Sequence, residues 1–426
     1  MKFMHQLNTI VLSLIISIAT TTCNKDDAVN TLPLLPDYTG TGNLELVWKN
    51  YIDEKKVEAY NINPILNSNG DILVSSFADN VYREPMLLFD GNTGALKWKW
   101  DDYFRDEEGF WNKSHVAEND ILVLCSHNAT YALNIVTGQT IWRHYSDTMW
   151  GSPFIFSDKK GYVYHSFKGE DGNYTNYIFR TKIDHLNWEL VCTNSDSVDQ
   201  TFNRREIDNM TFATNNKGEQ LLIYELMRSP DAYDPRTTMA CYNINQKKYE
   251  WVKSYTEKYN EWDAPQMLTD NKRIYVYASK GSNAHLLAID IENGEIIWDN
   301  SVPDFGVNMF LFGSDIISVC NRSSPIVSYN AQSGSVNWKQ AFSLTDQVDI
   351  NFSFNSDIVY KNYLISTQCK KLLFVELTKG SVLFNKQAAK GYGCMLKGVA
   401  VNALKGVFYV GDDLYVNCFK LPSGVK

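Results

Sequence analysis

Trp150-Gly-Ser-Pro153 and Trp262-Asp-Ala-Pro265 share one spacing, an indole three residues before a proline, and Trp111 falls one residue away from the same place in its own segment. Each lies in an aromatic and acidic stretch, residues 101–112, 145–150 and 255–263. A flat exposed ring beside a carboxylate such as Asp263 suits a sugar or a peptide, which stacks on the ring and donates hydrogen bonds to the acid. Trp111, Trp150, Trp262 and Asp263 are therefore the candidate ligand-binding residues. The competing reading is that these rings close over strand ends as lids. Nothing in the chain points to catalysis with equal force. Glu107 and Glu108 are sequence neighbours, with no spacing that sets an acid and a nucleophile across a bond. There is no Gly-x-Ser-x-Gly and no glycine-rich phosphate loop, and His115, His127, His165 and His185 read as ordinary polar residues. Without a Cys-x-x-Cys or an adjacent cysteine pair, no metal site is expected. Cys241 and Cys418, each two residues before a turn where other segments carry alanine, read as core thiols.

The candidate residues need a scaffold, and the chain supplies it by repetition. Asp90 to Trp98, Asn134 to Trp142, Asn243 to Trp251, Asp290 to Trp298 and Asn330 to Trp338 share an eight-residue step from an acid or amide to an indole. Glu376 to Phe384 keeps the step and changes the ring. Asp184 to Trp188 is shorter by four, and Lys420 to Gly424 is a first half cut off by the chain end. The first residues of these copies are 44, 50, 59, 47, 40, 46 and 44 residues apart. Turn residues between short apolar strands, at a period in the forties, predict propeller blades. The eighth copy lacks an outer strand, while residues 43–49, with Trp48, form an orphan strand at the other end. The fold expected is all-β, an eight-bladed β-propeller of four-stranded antiparallel blades closed by the N-terminal strand. Seven indoles in register (Trp48, Trp98, Trp142, Trp188, Trp251, Trp298 and Trp338) read as wedges between blades. Each buries apolar area worth roughly 4–6 kcal/mol gross.

Leu-Leu-Phe-Asp-x-x-Thr-Gly-x-x-x-Trp at 87–98 and Tyr-Ala-Leu-Asn-x-x-Thr-Gly-x-x-x-Trp at 131–142 resemble the repeat of the pyrroloquinoline-quinone-type β-propellers. That superfamily includes quinoprotein dehydrogenases and the lipoprotein scaffold of the outer-membrane barrel-assembly machinery. The resemblance spans roughly residues 44–424 and implies the fold; the fold itself hosts unrelated activities. Quinoprotein dehydrogenases of this family hold their cofactor against an adjacent cysteine pair beside a calcium site. No such pair is present, so neither pyrroloquinoline quinone nor calcium is expected as a cofactor.

Composition and the N-terminus bound the setting. A net charge of −9 with no basic cluster excludes nucleic acid as a partner. Lys2 and His5 precede an apolar run from Thr9 to Ala19, too short to span a bilayer, as expected of a signal peptide over residues 1–22. It ends at Thr20-Thr21-Thr22-Cys23, which resembles a bacterial lipobox and implies a lipid anchor at Cys23. Asn24-Lys25-Asp26-Asp27 resembles the surface-export signal of Bacteroidota lipoproteins. Residues 23–42 read as a tether with Pro33, Pro36 and Gly40, and residues 43–426 as the propeller. Function is expected to be non-catalytic: a binding or scaffold propeller on an outer-membrane lipoprotein, at the cell surface or the periplasmic face, taking a glycan, peptide or partner protein at its axial funnel. The alternatives are a periplasmic scaffold for outer-membrane protein assembly and a quinone-dependent dehydrogenase.

Overall fold

The computed structural model describes residues 39–425 apart from 42–43, 52–61, 76–84, 105–114, 126–128, 147–148, 170–175, 194–204, 208, 229–237, 256–257, 260, 263–266, 281–282, 303–305, 321–324, 341–356, 368–370, 388–396 and 412–414. Eight antiparallel sheets follow one another along the chain, with no helix among the described residues. Blade one pairs Ile65–Leu66, Ile72–Ser75, Met86–Phe89 and Leu96–Trp100 in sequence order. Blades two, three and six repeat that order, and blades four and five do so with the first strand broken in two. In blade eight the strands Lys397–Asn402, Val407–Gly411 and Tyr415–Lys420 are completed by Leu46–Tyr51. Trp48 lies opposite Cys418, so the N-terminal strand supplies the missing outer strand. The expected fold and its closure are both observed.

Hydrophobicity sets the layers within each blade. Second and third strands are buried along their length, as in Ile72–Ser75 and Met86–Phe89, because a neighbouring blade covers each face. Outer strands are more open, and most of them leave an aliphatic side chain exposed, such as Leu96, Ile297 and Val336. The large buried rings, Tyr131, Tyr224, Tyr275, Phe374 and Phe408 among them, fill the seams.

The repeated turn and the repeated indole prove to be two halves of one joint. Trp251 donates from Nε1 to the Ile291 carbonyl of the next blade's turn at 2.9 Å, and Trp338 donates to Leu377 at 2.8 Å. Trp48, Trp98 and Trp298 do the same to Gly91, Val136 and Ala331. The turn glycine is what lets the ring approach. Gly294 has φ +71°, and a Cβ there would stand 2.9 Å from the Trp251 ring. At six of the eight seams a wedge on one outer strand thus meets a seat in the next blade's last turn, so one recurring sequence step welds most of the ring. A second recurring bond ties the two turns within a blade: Ile135, Ile291, Ala331 and Leu377 donate their N–H to the carbonyls of Asp120, Lys272, Ser314 and Asn362.

Two seams depart from this rule. Trp188 is a wedge between blades as expected, but it faces backward: it packs edge-on against Trp142 of blade two at 6.4 Å and against His144, His165 and Phe167. The cause is register. In blade two Trp142 lies opposite Ala132, but the shortened turn of blade three brings Glu189 opposite Arg180, and a slip of one residue sends Trp188 to the other face of its sheet. Tyrosines seal the three-to-four seam in its place, with Tyr224 and Tyr249 hydroxyls 2.8 Å apart and Tyr249 donating to the Thr193 carbonyl. Blade four's turn also lacks Thr-Gly, and Glu219 holds it instead by accepting from Asn215, Asn243 and Gln246. At the seven-to-eight seam Phe384 replaces the indole and packs on Phe374, which packs on Phe408.

The tether expected over residues 23–42 is engaged at its far end. Thr39–Thr41 adds to the outer strand of blade seven as a fifth strand, with Thr39 opposite Gln387 and Thr41 opposite Asn385. Residues 1–38, with the signal segment and Cys23, lie outside the described residues, as does the proline-containing insertion Ser229–Arg236.

Candidate functional site

The ring has two unlike ends. One, the turn face, carries the tight turns between first and second and between third and fourth strands. The other, the loop face, carries the longer connections from blade to blade and from second to third strands, and the two candidate residues that are described, Trp150 and Trp262, fall there. Trp150 lies near the start of the first strand of blade three, Met149–Ser157, opposite Lys168. Trp262 lies in Glu261–Trp262, a short first strand of blade five, opposite Ala278. Both belong to the innermost strand of a blade rather than to the loop before it, at the loop-face end. Blade four stands between them. Trp111 and Asp263 lie outside the described residues, and so do Glu107, Glu108 and His127.

Proline sets the local geometry. The pairing of blade three's first strand shifts between Gly151 and Ile155, on either side of Pro153. In blade five the first strand is divided between Glu261–Trp262 and Leu268–Thr269, with Pro265 in the gap. Proline has no N–H to give the ladder, and an extra unpaired residue bends the strand. Trp150 is thereby carried on a segment offset from the rest of its strand, and Trp262 lies on a strand piece separate from Leu268–Thr269.

Other aromatics of the same stretches act as lids. Tyr103 is buried edge-on against Trp100 at 4.6 Å and near Tyr131, and the N–H of Phe104 donates to the Tyr131 hydroxyl at 2.9 Å. Arg143 lies over the Phe104 ring at 4.7 Å. Tyr255 donates to the Gly294 carbonyl at 2.7 Å. Tyr259, only 1% exposed, donates to Asp299 at 2.7 Å, and the other oxygen of Asp299 is 2.6 Å from His285 Nδ1. Burial and the Asp299 carboxylate both raise the Tyr259 phenol, so it stays a donor. This Tyr-Asp-His chain fixes the root of the segment that carries Trp262. Sequence reading missed it, because its members are 14 and 40 residues apart on three elements.

The remaining reactive side chains are spoken for by the fold. Cys125, Cys192, Cys241 and Cys418 are free and buried, as expected for Cys241 and Cys418. Burial pushes the Cys192, Cys241 and Cys418 thiols up to about 12, well outside the range where a thiolate forms at neutral pH. His115 has an enclosed Nδ1 without a partner among the described residues, and burial lowers its pKa to about 4. Among the described residues no three His, Cys, Asp or Glu side chains converge as a metal would require, and the thiols are buried singly.

Residues 232–416 match the model of the family described as outer membrane protein assembly factor BamB. No curated protein matches the chain. Among solved structures, the Dos1 propeller superposes with a TM-score of 0.62 at 9% identity, over 88% of this chain and 95% of that one. Sqt1 from Saccharomyces cerevisiae superposes with a TM-score of 0.60 at 11% identity, over 88% and 98%. BamB from Moraxella catarrhalis gives a TM-score of 0.42 at 11% identity, over 90% and 99%. At such identities the first two speak for the fold. The match runs from blade four into blade eight, and the same wedge and seat continue round the other blades. Over residues 232–416 the chain is similar to the pyrroloquinoline-quinone-type β-propeller family, and the fold of the whole ring is of that kind.

Proposed function

We propose that this protein is a non-catalytic binding or scaffold propeller, anchored to the bacterial outer membrane by a lipid on Cys23, which takes its ligand at the axial funnel of the loop face. Trp111, Trp150, Trp262 and Asp263 form the contact set, and the ligand is a glycan, a peptide or a partner protein. The observation that carries this reading is the match of residues 232–416 to a family described by its part in outer-membrane protein assembly. The described fold agrees with it: its indoles, turn carboxylates and buried thiols serve the seams, and the loop face is where the repeat leaves sequence free to vary.

The same match favours a second reading, a periplasmic scaffold that helps assemble outer-membrane proteins. The two differ in which side of the membrane the ring occupies. Protease added to intact cells should degrade a surface lipoprotein and spare a periplasmic one. Labelling with a lipid precursor, lost in Cys23→Ala, tests the anchor itself. Absence of lipid and absence of any copurifying partner or bound glycan would together remove the proposal.

A further inference from the structure

The route of the N-terminal chain fixes which end of the ring is tethered. The closing strand Leu46–Tyr51 begins at the turn face, where Leu46 lies opposite Phe419 and the Glu45 carbonyl accepts the Lys420 N–H. If the chain simply left from there, the tether would hang from the turn face. It does not. Thr39–Thr41 runs antiparallel to Val382–Gln387, and Thr39 lies opposite Gln387, which itself lies opposite Lys371 at the start of a third strand. That end of blade seven is the loop face. Thr39–Thr41 thus lies at the outer edge of blade seven and Leu46 at the turn-face end of blade eight, and the described chain begins, at Thr39, on the loop-face rim.

Length decides whether this matters. Residues 24–38 make a tether of 15 residues. Random-coil dimensions for 15 residues correspond to an r.m.s. span of about 20 Å, the span the lipid-anchor reading assigns between Cys23 and Thr39. The ring is thicker: the nine residues of His185–Thr193 alone rise about 30 Å. Full extension, about 50 Å, would be needed for the turn face to meet the membrane while the tether starts at the opposite rim.

We infer that the three-residue strand Thr39–Thr41 orients the propeller, turning the loop face toward the bilayer that anchors the chain and the turn face away from it. The inference rests on the lipid-anchor reading above, and it deepens that reading: a ligand of the loop face is one presented at the membrane surface. The strand also covers the outer edge of blade seven, which would otherwise be open to pairing.

The test is energy transfer from a fluorophore on the ring to an acceptor lipid in vesicles. Azidophenylalanine, introduced at Asn283 on the loop face or at the fully exposed Leu404 on the turn face, carries the donor and avoids the native cysteines. The full-length lipidated protein should show greater transfer from position 283 than from 404. Substituting Thr39→Pro, Gly40→Pro and Thr41→Pro together frees the strand, and the difference should then be lost or reversed, since the tether now starts at Glu45. Equal transfer in the native protein, greater transfer from 404, or a difference that survives the triple substitution would overturn the inference. A parallel protein anchored by a hexahistidine tag in place of Cys23, on nickel-chelating vesicles, separates the two claims. If the native chain fails to partition into membranes the lipid reading fails, while the tagged chain still reports the direction of exit.

Discussion

Trp251 shows what one residue contributes to this ring. Its ring fills the seam to blade five, its N–H meets the Ile291 carbonyl, and Gly294 clears room for it. Trp251→Ala should cost about 3–5 kcal/mol, by the loss of buried area and the cavity left behind. Gly294→Ala should cost roughly 1–3 kcal/mol from the other side of the same joint, because its left-handed backbone and the nearby ring both exclude a Cβ. Measured by denaturant unfolding, the two losses should sum to more than the double variant loses, since both break one contact. Additive losses would deny the joint. His115 gives a pH signature. Its imidazole titrates near 6.5 when unfolded and about 4 when folded, so the unfolded chain binds more protons between those values. Stability should be full above pH 6.5 and fall by about 1–3 kcal/mol toward pH 4, where this contribution is lost. His115→Gln should flatten that slope, as followed by unfolding at a series of pH values; an unchanged slope would assign it to other groups.

At the scale of elements, the sequence shows the blades more plainly than it shows their joints. The outer strands, the turns and the split chain ends are legible because acid, glycine and indole recur at a fixed step. That the glycine of one blade seats the indole of the one before it is a contact between residues some forty apart, and spacing alone does not reveal it. Which neighbour Trp188 wedges against was hidden for a related reason: the shortened turn of blade three moves it by one residue in register, which turns it to the preceding blade. The strand Thr39–Thr41 was also hidden, since Thr-Gly-Thr has no hydrophobic pattern and is held by backbone pairing with blade seven. At the candidate site, sequence located Trp150 and Trp262 by their prolines but gave no hint of the Tyr259-Asp299-His285 chain. Trp150→Ala combined with Trp262→Ala should abolish ligand binding with little change in thermal stability. A fall in unfolding free energy as large as that of Trp251→Ala would make both rings lids, like Tyr103 and Tyr259.

On the scale of the molecule, the ring is closed by its first described strands, so a residue near the start of the chain should matter as much as one in the middle. Trp48→Ala is expected to destabilise by about 3–5 kcal/mol, close to the loss at Trp251, although chain ends are usually tolerant. A neutral effect would mean that blade eight stands without its N-terminal strand. On the function proposed above, the loop face is the end that meets a ligand, and the most direct measurement is photo-crosslinking in living cells with a benzophenone side chain in place of Trp150, Trp262 or Leu404. The account expects adducts of discrete mass from positions 150 and 262 and none from 404, on the turn face. Adducts from 404 with none from 150 or 262 would contradict it.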